Sequence, residues 1–186
     1  MKKNFEFDYS PKTRPFPHQV EAIEYISHRQ FVPLFDEQGL GKTKIVIEAL
    51  CNNMEQGIID GALIICKKHL IGNWQDEIET HSHLKYIVLR GSVNEKGSRF
   101  MGYSQFYIIN YESVIGEANR LEMFLKIRKL AIVLDESHTI KNPNAKTTNA
   151  IFRLKDLAKK RIIITGTPIA NKPLDLWAQF YFLDNG

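Results

Sequence analysis

The stretch Val32-Pro-Leu-Phe-Asp36-Glu-Gln38-Gly39-Leu40-Gly41-Lys42-Thr43, continued by Lys44-Ile-Val-Ile-Glu-Ala-Leu50, decides how the rest of the chain is read. A short apolar run ends in a glycine-rich turn, and a lysine-threonine pair opens a run of good helix formers. This strand, loop and helix order is the one a phosphate-binding loop requires. Gly39 and Gly41 let the backbone bring several N–H groups toward one point, and the helix N-terminus adds partial positive charge. Lys42 then reaches the β- and γ-phosphates, and Thr43 offers its hydroxyl to Mg²⁺. The usual pattern has a glycine five residues before Gly41, where this chain has Asp36. Taken alone, the stretch also reads as a glycine turn capping an ordinary helix, so the rest of the chain has to arbitrate.

Working outward, five more apolar runs follow. They are Ala62 to Cys66, Tyr86 to Leu89, Phe106 to Asn110, Leu130 to Leu134 and Arg161 to Thr165. Each is short, rich in β-branched residues and nearly continuous, as strands buried on both faces are. Segments of helical spacing lie between most of them, at Leu70 to Glu79, Ala118 to Arg128 and Ala145 to Leu157. Another helix is expected after Thr13-Arg-Pro-Phe-Pro-His18-Gln19, with Val20, Ile23 and Ile26 on one face. Alternating strands and helices predict an α/β fold with a mainly parallel central sheet and helices on both faces. In such sheets ligands bind beyond the carboxyl ends of the strands, where the suggestive residues of this chain fall.

The second chemical feature is Leu134-Asp135-Glu136-Ser137-His138. An apolar strand ending in two carboxylates complements a phosphate loop. Asp135 would hold Mg²⁺, and Glu136 would orient and deprotonate an attacking water. The third is Ile164-Thr165-Gly166-Thr167-Pro168, another strand running into a small-residue turn. As chemistry alone, this last feature is adequately explained as a Gly-Pro turn with capping threonines.

Composition sets wide limits. At 186 residues the chain suits one domain with a full core, and its apolar share (44%) and charged share (25%) are those of ordinary globular proteins. No apolar run approaches the ~20 residues needed to cross a bilayer. The N-terminal residues lack the apolar core of a secretory signal, so an intracellular protein is expected. Cys51 and Cys66 form no C-x-x-C pair, which argues against disulfide scaffolds and cysteine-rich zinc sites. A net charge of +4 permits a polyanionic partner without requiring one. The guanine-reading N-K-x-D pattern is absent, since Asn171-Lys172-Pro173 is followed by Leu174, with Asp175 one place late.

Taken in order, four motifs resemble the first lobe of a superfamily-two helicase-type ATPase. They are Phe16-Pro-His-Gln19, Asp36 to Thr43, Asp135-Glu-Ser-His138-Thr-Ile-Lys141-Asn142 and Thr165 to Asn171. Ile140 to Lys146 and Thr165 to Trp177 resemble the Swi/Snf-related branch in particular. The resemblance implies a RecA-like three-layer sandwich and an ATP-driven translocase on double-stranded DNA. It implies that Gln19 reads adenine and that Gln38, Gly39, Leu40, Gly41, Lys42, Thr43, Lys44 and Asp135 form the ATP site. By the same resemblance Lys42, Asp135 and Glu136 would carry catalysis, and Thr43 and Asp135 would hold Mg²⁺. His138, Thr165, Gly166 and Thr167 would couple nucleotide state to DNA and to a second lobe. Contacts to the DNA phosphate backbone are expected from Lys67, Lys68, Asn110, Lys141 and Asn142. Lys67 stands where the family usually has proline.

By this resemblance residues 1–186 are expected to form a single ATP-binding lobe, with 1–13 as an irregular lead-in and no second lobe expected within them. A lobe of this kind is expected to bind Mg²⁺-ATP with little turnover unless a second lobe, in cis or in trans, completes the site. The alternative is a stand-alone DNA- or protein-binding module derived from such a lobe. Three further features receive plain readings. Lys159-Lys160-Arg161 is expected as a solvated face, and His81 and His83 as ordinary histidines with no partner carboxylate nearby. Trp177, with Leu174, Phe180 and Leu183, is expected in the core rather than as a base-stacking platform.

Overall fold

A computed structural model describes residues 7–35, 39, 41–166 and 174–184. Gln38, Leu40 and Thr167 therefore lie outside the described residues, as do the other residues from Asp36 to Glu37 and from Pro168 to Pro173.

Six strands form one sheet: β1 (Phe31–Leu34), β2 (Gly61–Cys66), β3 (Tyr86–Val88), β4 (Phe106–Asn110), β5 (Leu130–Asp135) and β6 (Lys160–Ile164). Their spatial order is β1-β6-β5-β2-β4-β3, and all five described pairings are parallel. The helices are α1 (Pro17–Ser27), α2 (Lys42–Glu55), α3 (Ile71–His81), α4 (Val93–Met101), α5 (Tyr111–Ile127), α6 (Lys146–Lys155) and α7 (Leu174–Asp184). The sequence reading finds every strand but misses α4. That helix is short and polar and is started by a capping box, in which Ser92 and Glu95 satisfy each other's backbone N–H groups.

The sheet is buried on both faces, and the alternation of each strand sorts its residues between two cores. Ala62, Ile64 and Cys66 of β2 join Val133 and Ile162 beneath α1, α2 and α3. Leu63 and Ile65 join Tyr107, Ile132 and Ile163 beneath α5, α6 and α7. A continuous apolar run in sequence is thus two interleaved half-runs in space.

On α1 only Ile23 and Ile26 carry apolar side chains into the core, and Val20 is 47% exposed. Three expectations need correction. Lys160 and Arg161 are buried rather than solvated. The Lys160 ammonium caps the end of α1 by donating to the carbonyls of Ile26 and Ser27 and to Asn53 Oδ1. Arg161 lies over the Phe31 ring and reaches Asp156 at 3.3 Å. His81 and His83 do have carboxylate neighbours, Glu77 at 3.3 Å and Asp8 at 3.6 Å, which ordinary i,i+4 spacing and a folded-back lead-in provide. Trp177 is 46% exposed and stacks on Tyr181 with ring centroids 4.9 Å apart, whereas Phe182 and Leu183 fill the core. The lead-in is not loose along its described part: Lys44 donates to the carbonyl of Arg14 and Lys12 N–H to that of His81.

A candidate nucleotide and nucleic-acid site at the carboxyl edge

All strands point the same way, so every residue following a strand lies along one edge of the sheet. The turn after β1 supplies Gly39 and Gly41, both with positive φ (+92° and +70°), and Gly41 is the N-cap of α2. A Cβ on Gly41 would meet Gln19 Nε2 at 2.6 Å. The positive φ favours glycine there, and an added Cβ would also have to displace the Gln19 amide. Gln19 is buried, its Oε1 accepts the Phe16 N–H at 3.0 Å, and its Nε2 lies against the loop. Beside it, Arg14, Pro15, Phe16, Pro17 and Val20 line an open cleft of about 480 Å³.

Lys42 and Thr43 are half-buried in the first turn of α2. The Lys42 charge acts on Asp135. Lys44 turns the other way. Its ammonium is 3.5 Å from Glu48 and donates to the lead-in, so only its backbone is left to face the loop.

Asp135 ends β5 and is held at three points. Trp74 Nε1 of α3 donates to Oδ2 at 2.8 Å, the Glu136 N–H donates to Oδ1 at 2.9 Å, and the Tyr111 hydroxyl donates to the Asp135 carbonyl at 2.8 Å. Burial pushes the carboxyl above its usual range, and the indole N–H opposes that shift. Trp74 and Tyr111 are both fully buried, and the sequence reading assigned neither a role. Nothing in their local pattern separates them from core aromatics, because their partner is 61 and 24 residues away.

Glu136 has φ +52° and ψ +51°, and is the single non-glycine with positive φ among the described residues. Such strain in a bulky residue marks a position the fold over-determines. Its carbonyl is gripped by the Thr139 N–H and hydroxyl at 2.9 and 2.7 Å. Its carboxylate Oε2 lies 3.2 Å from His138 Nδ1, which is also 3.2 Å from Thr165 Oγ1 at the end of β6. His138 Nε2 is 3.1 Å from Lys67 Nζ in the loop after β2. Thus His138 joins three strand ends. Gly166, beyond Thr165, is exposed. Ser137, fully buried, donates to Gln179 Oε1 of α7 at 2.6 Å.

The residues expected to face nucleic acid follow adjacent strands in the order β5, β2, β4. Lys141 and Asn142 come after β5, Lys67 and Lys68 after β2, and Asn110 at the end of β4. Lys68, Lys141 and Asn142 are exposed. Asn110 is committed locally, donating to Glu112 at 2.6 Å and accepting from Ser113 at 2.8 Å.

The parallel sheet, the glycine turn after its first strand and the acidic pair after β5 define the class, a RecA-like α/β lobe. The chain belongs to the SNF2-related domain family, whose model matches residues 18–186. It is 34% identical over 168 residues to the TATA-binding protein-associated factor mot1 of Schizosaccharomyces pombe, covering 82% of this chain and 8% of that one. It is 31% identical over 189 residues to the DNA repair and recombination protein RAD54B of Gallus gallus, covering 91% and 20%. Among solved structures, the Sulfolobus solfataricus SWI2/SNF2 ATPase core in complex with dsDNA superposes with a TM-score of 0.81 at 28% identity. That match covers 96% of this chain and 37% of the other. The chain therefore spans a small part of its relatives.

Proposed function

We propose that this chain is the ATP-binding lobe of a DNA-dependent ATPase and translocase of the Swi/Snf kind. The observation that carries the reading is the meeting at one sheet edge of the Gly41–Thr43 helix start with the strained, hydrogen-bonded Asp135–Glu136 pair. In this reading the N–H groups around Gly39 to Lys44 and the Lys42 ammonium hold the triphosphate. Gln19, with the neighbouring cleft and the exposed Phe16 ring, receives the base.

The oxygen donors of Thr43 and Asp135 suit Mg²⁺, a hard cation that takes oxygen ligands. When bound, the ion would neutralise charge on the β- and γ-phosphates. Trp74 and Tyr111 fix the Asp135 carboxylate and its backbone. Glu136, acceptor-only when ionised, orients the attacking water and takes its proton. His138 and the small residues from Thr165 carry the state of this site toward the row formed by Lys141, Asn142, Lys67, Lys68 and Asn110. That row meets the phosphate backbone of double-stranded DNA, which positions the protein without reading sequence.

The lobe supplies one wall of the nucleotide site. An arginine finger from a second lobe, in cis or in trans, accelerates phosphoryl transfer by about 10³–10⁵ in related enzymes, so turnover by residues 1–186 alone is expected to be slight. The test is steady-state ATP hydrolysis with and without double-stranded DNA, alongside Glu136→Gln, and Mg²⁺-ATP binding alongside Lys42→Ala. Binding lost in Lys42→Ala with little turnover supports the reading. A chain that binds DNA but no nucleotide replaces it with a non-catalytic module.

A further inference from the structure

The Lys44 side chain takes no part in the roles assigned above, yet the residue is only 7% exposed. It follows Lys42 and Thr43 in the first turn of α2. Its ammonium donates to the carbonyl of Arg14 at 3.0 Å and to that of Thr13 at 3.4 Å, and Glu48 Oε1 at 3.5 Å balances its charge. Burying an ammonium is costly unless it is paired and hydrogen-bonded. A lysine committed to two backbone carbonyls 30 and 31 residues away therefore fixes where that segment runs.

The segment is the rim of the cleft beside Gln19. Arg14-Pro15-Phe16-Pro17 carries two prolines, and each fixes its own φ and holds the residue before it extended. Phe16 is extended accordingly, with φ −72° and ψ 158°. A tie at the Arg14 carbonyl is thus carried two residues on, to the Phe16 ring and to the Phe16 N–H that Gln19 Oε1 accepts at 3.0 Å. The same segment is anchored from α3. The Lys12 N–H donates to the carbonyl of His81 at 3.1 Å, Lys12 Nζ to that of Glu79 at 2.8 Å, and the Thr13 hydroxyl meets His81 Nδ1 at 2.6 Å.

We propose that the Lys44 side chain is a positioning residue for nucleotide selectivity: it ties the rim of the base cleft to the first turn of α2, so that the span from phosphate site to base site is set before a ligand arrives. The inference rests on the nucleotide reading above. A preset span favours a ligand that carries base and triphosphate together and gives nothing to a triphosphate alone. Without the tie, a nucleotide has to order the rim as it binds, which lowers its affinity and leaves that of a bare polyphosphate unaffected by the rim.

The experiment is titration of the whole chain with Mg²⁺-ATP and, separately, with Mg²⁺-tripolyphosphate, each followed by amide NMR. The quantity read is the ratio of the two affinities. Lys44→Met is combined with Glu48→Gln, so that no carboxylate is left buried without its partner. In this double variant the preference for ATP should fall about 10-fold, the scale of a hydrogen bond to a charged group. Glu48→Gln alone keeps the tie and should keep the wild-type ratio. Thr13→Val, nearly isosteric, removes the hydroxyl facing His81 and should lower the ratio about threefold, the scale of a neutral hydrogen bond.

Where the double variant folds, it decides; where it does not, Thr13→Val decides. An unchanged ratio, including a loss shared equally by ATP and tripolyphosphate, overturns the inference and leaves the nucleotide reading standing. A wild type that binds tripolyphosphate as tightly as ATP overturns the base cleft and the inference together. A wild type that binds neither overturns the nucleotide reading as a whole.

Discussion

Trp74 Nε1 lies 2.8 Å from Asp135 Oδ2, so a fully buried indole on α3 holds the carboxylate that ends β5. Groups that hydrogen-bond a metal-ligating side chain from behind typically contribute 10–100-fold to metal affinity. Trp74→Phe keeps most of the ring volume and removes the N–H. The expected result is a roughly 10-fold or greater rise in the Mg²⁺ needed for ATP binding, with little change in metal-free binding. A Mg²⁺ titration of nucleotide binding reads this directly, and an unchanged Mg²⁺ midpoint would refute it.

Gly41 combines φ +70° with Gln19 Nε2 lying 2.6 Å from where its Cβ would stand. Gly41→Ala must therefore strain the backbone and push Gln19 aside. The expected cost is about 1–3 kcal/mol of stability, together with loss of nucleotide binding. Gly57, also at positive φ (+69°) but with open space around it, is the control: Gly57→Ala carries the backbone strain alone and leaves nucleotide binding intact.

Lys160 titrates where its burial can be tested. Burial lowers its ammonium from the usual 10.5 to about 8. The folded chain thus releases this proton before the unfolded chain does. Its contribution to stability is fully present above the unfolded value and is lost as pH falls through about 8. The buried thiols of Cys51 and Cys66, raised from 9 to about 12, act in the opposite sense once unfolded thiols begin to ionise. Comparing wild type with Lys160→Met cancels the thiols. From about pH 8 to about pH 9, the stability difference between the two should move by about 1 kcal/mol in favour of the wild type. Denaturant melts at both pH values decide it, and a constant difference would show an unshifted lysine.

Lys141 is exposed just beyond the turn that holds His138. Lys141→Ala should weaken double-stranded DNA binding by a similar factor for all sequences. It should also reduce the slope of log affinity against log salt by about 1. Lys126→Ala, exposed near the C-terminal end of α5, should leave both unchanged.

All six strands were legible in the chain because continuous β-branched runs have few other uses in a protein of this size. Their parallel arrangement followed from the helices between them. Helix α4 was not legible, since its start signal is a two-residue cap on a polar segment. Lys160 and Arg161 were misread for a related reason: a basic run looks solvated until the far end of another helix, or an aromatic ring, is brought over it. Trp177 failed in the reverse sense, as helical spacing shows which residues share a face but not how completely that face is covered.

The sequence by itself determined the chemistry present at the carboxyl edge: the glycine turn with its lysine and threonine, the paired carboxylates, and the order of the motifs. These are local patterns, whose meaning is carried by neighbours a few residues apart. Only the tertiary structure decided which distant groups restrain that chemistry: Trp74 and Tyr111 on Asp135, Gln19 against Gly41, and Lys67 on His138. Each pairing joins elements brought side by side by the parallel strand order, and hydrogen-bond geometry over about 3 Å is set by that packing, not by sequence spacing.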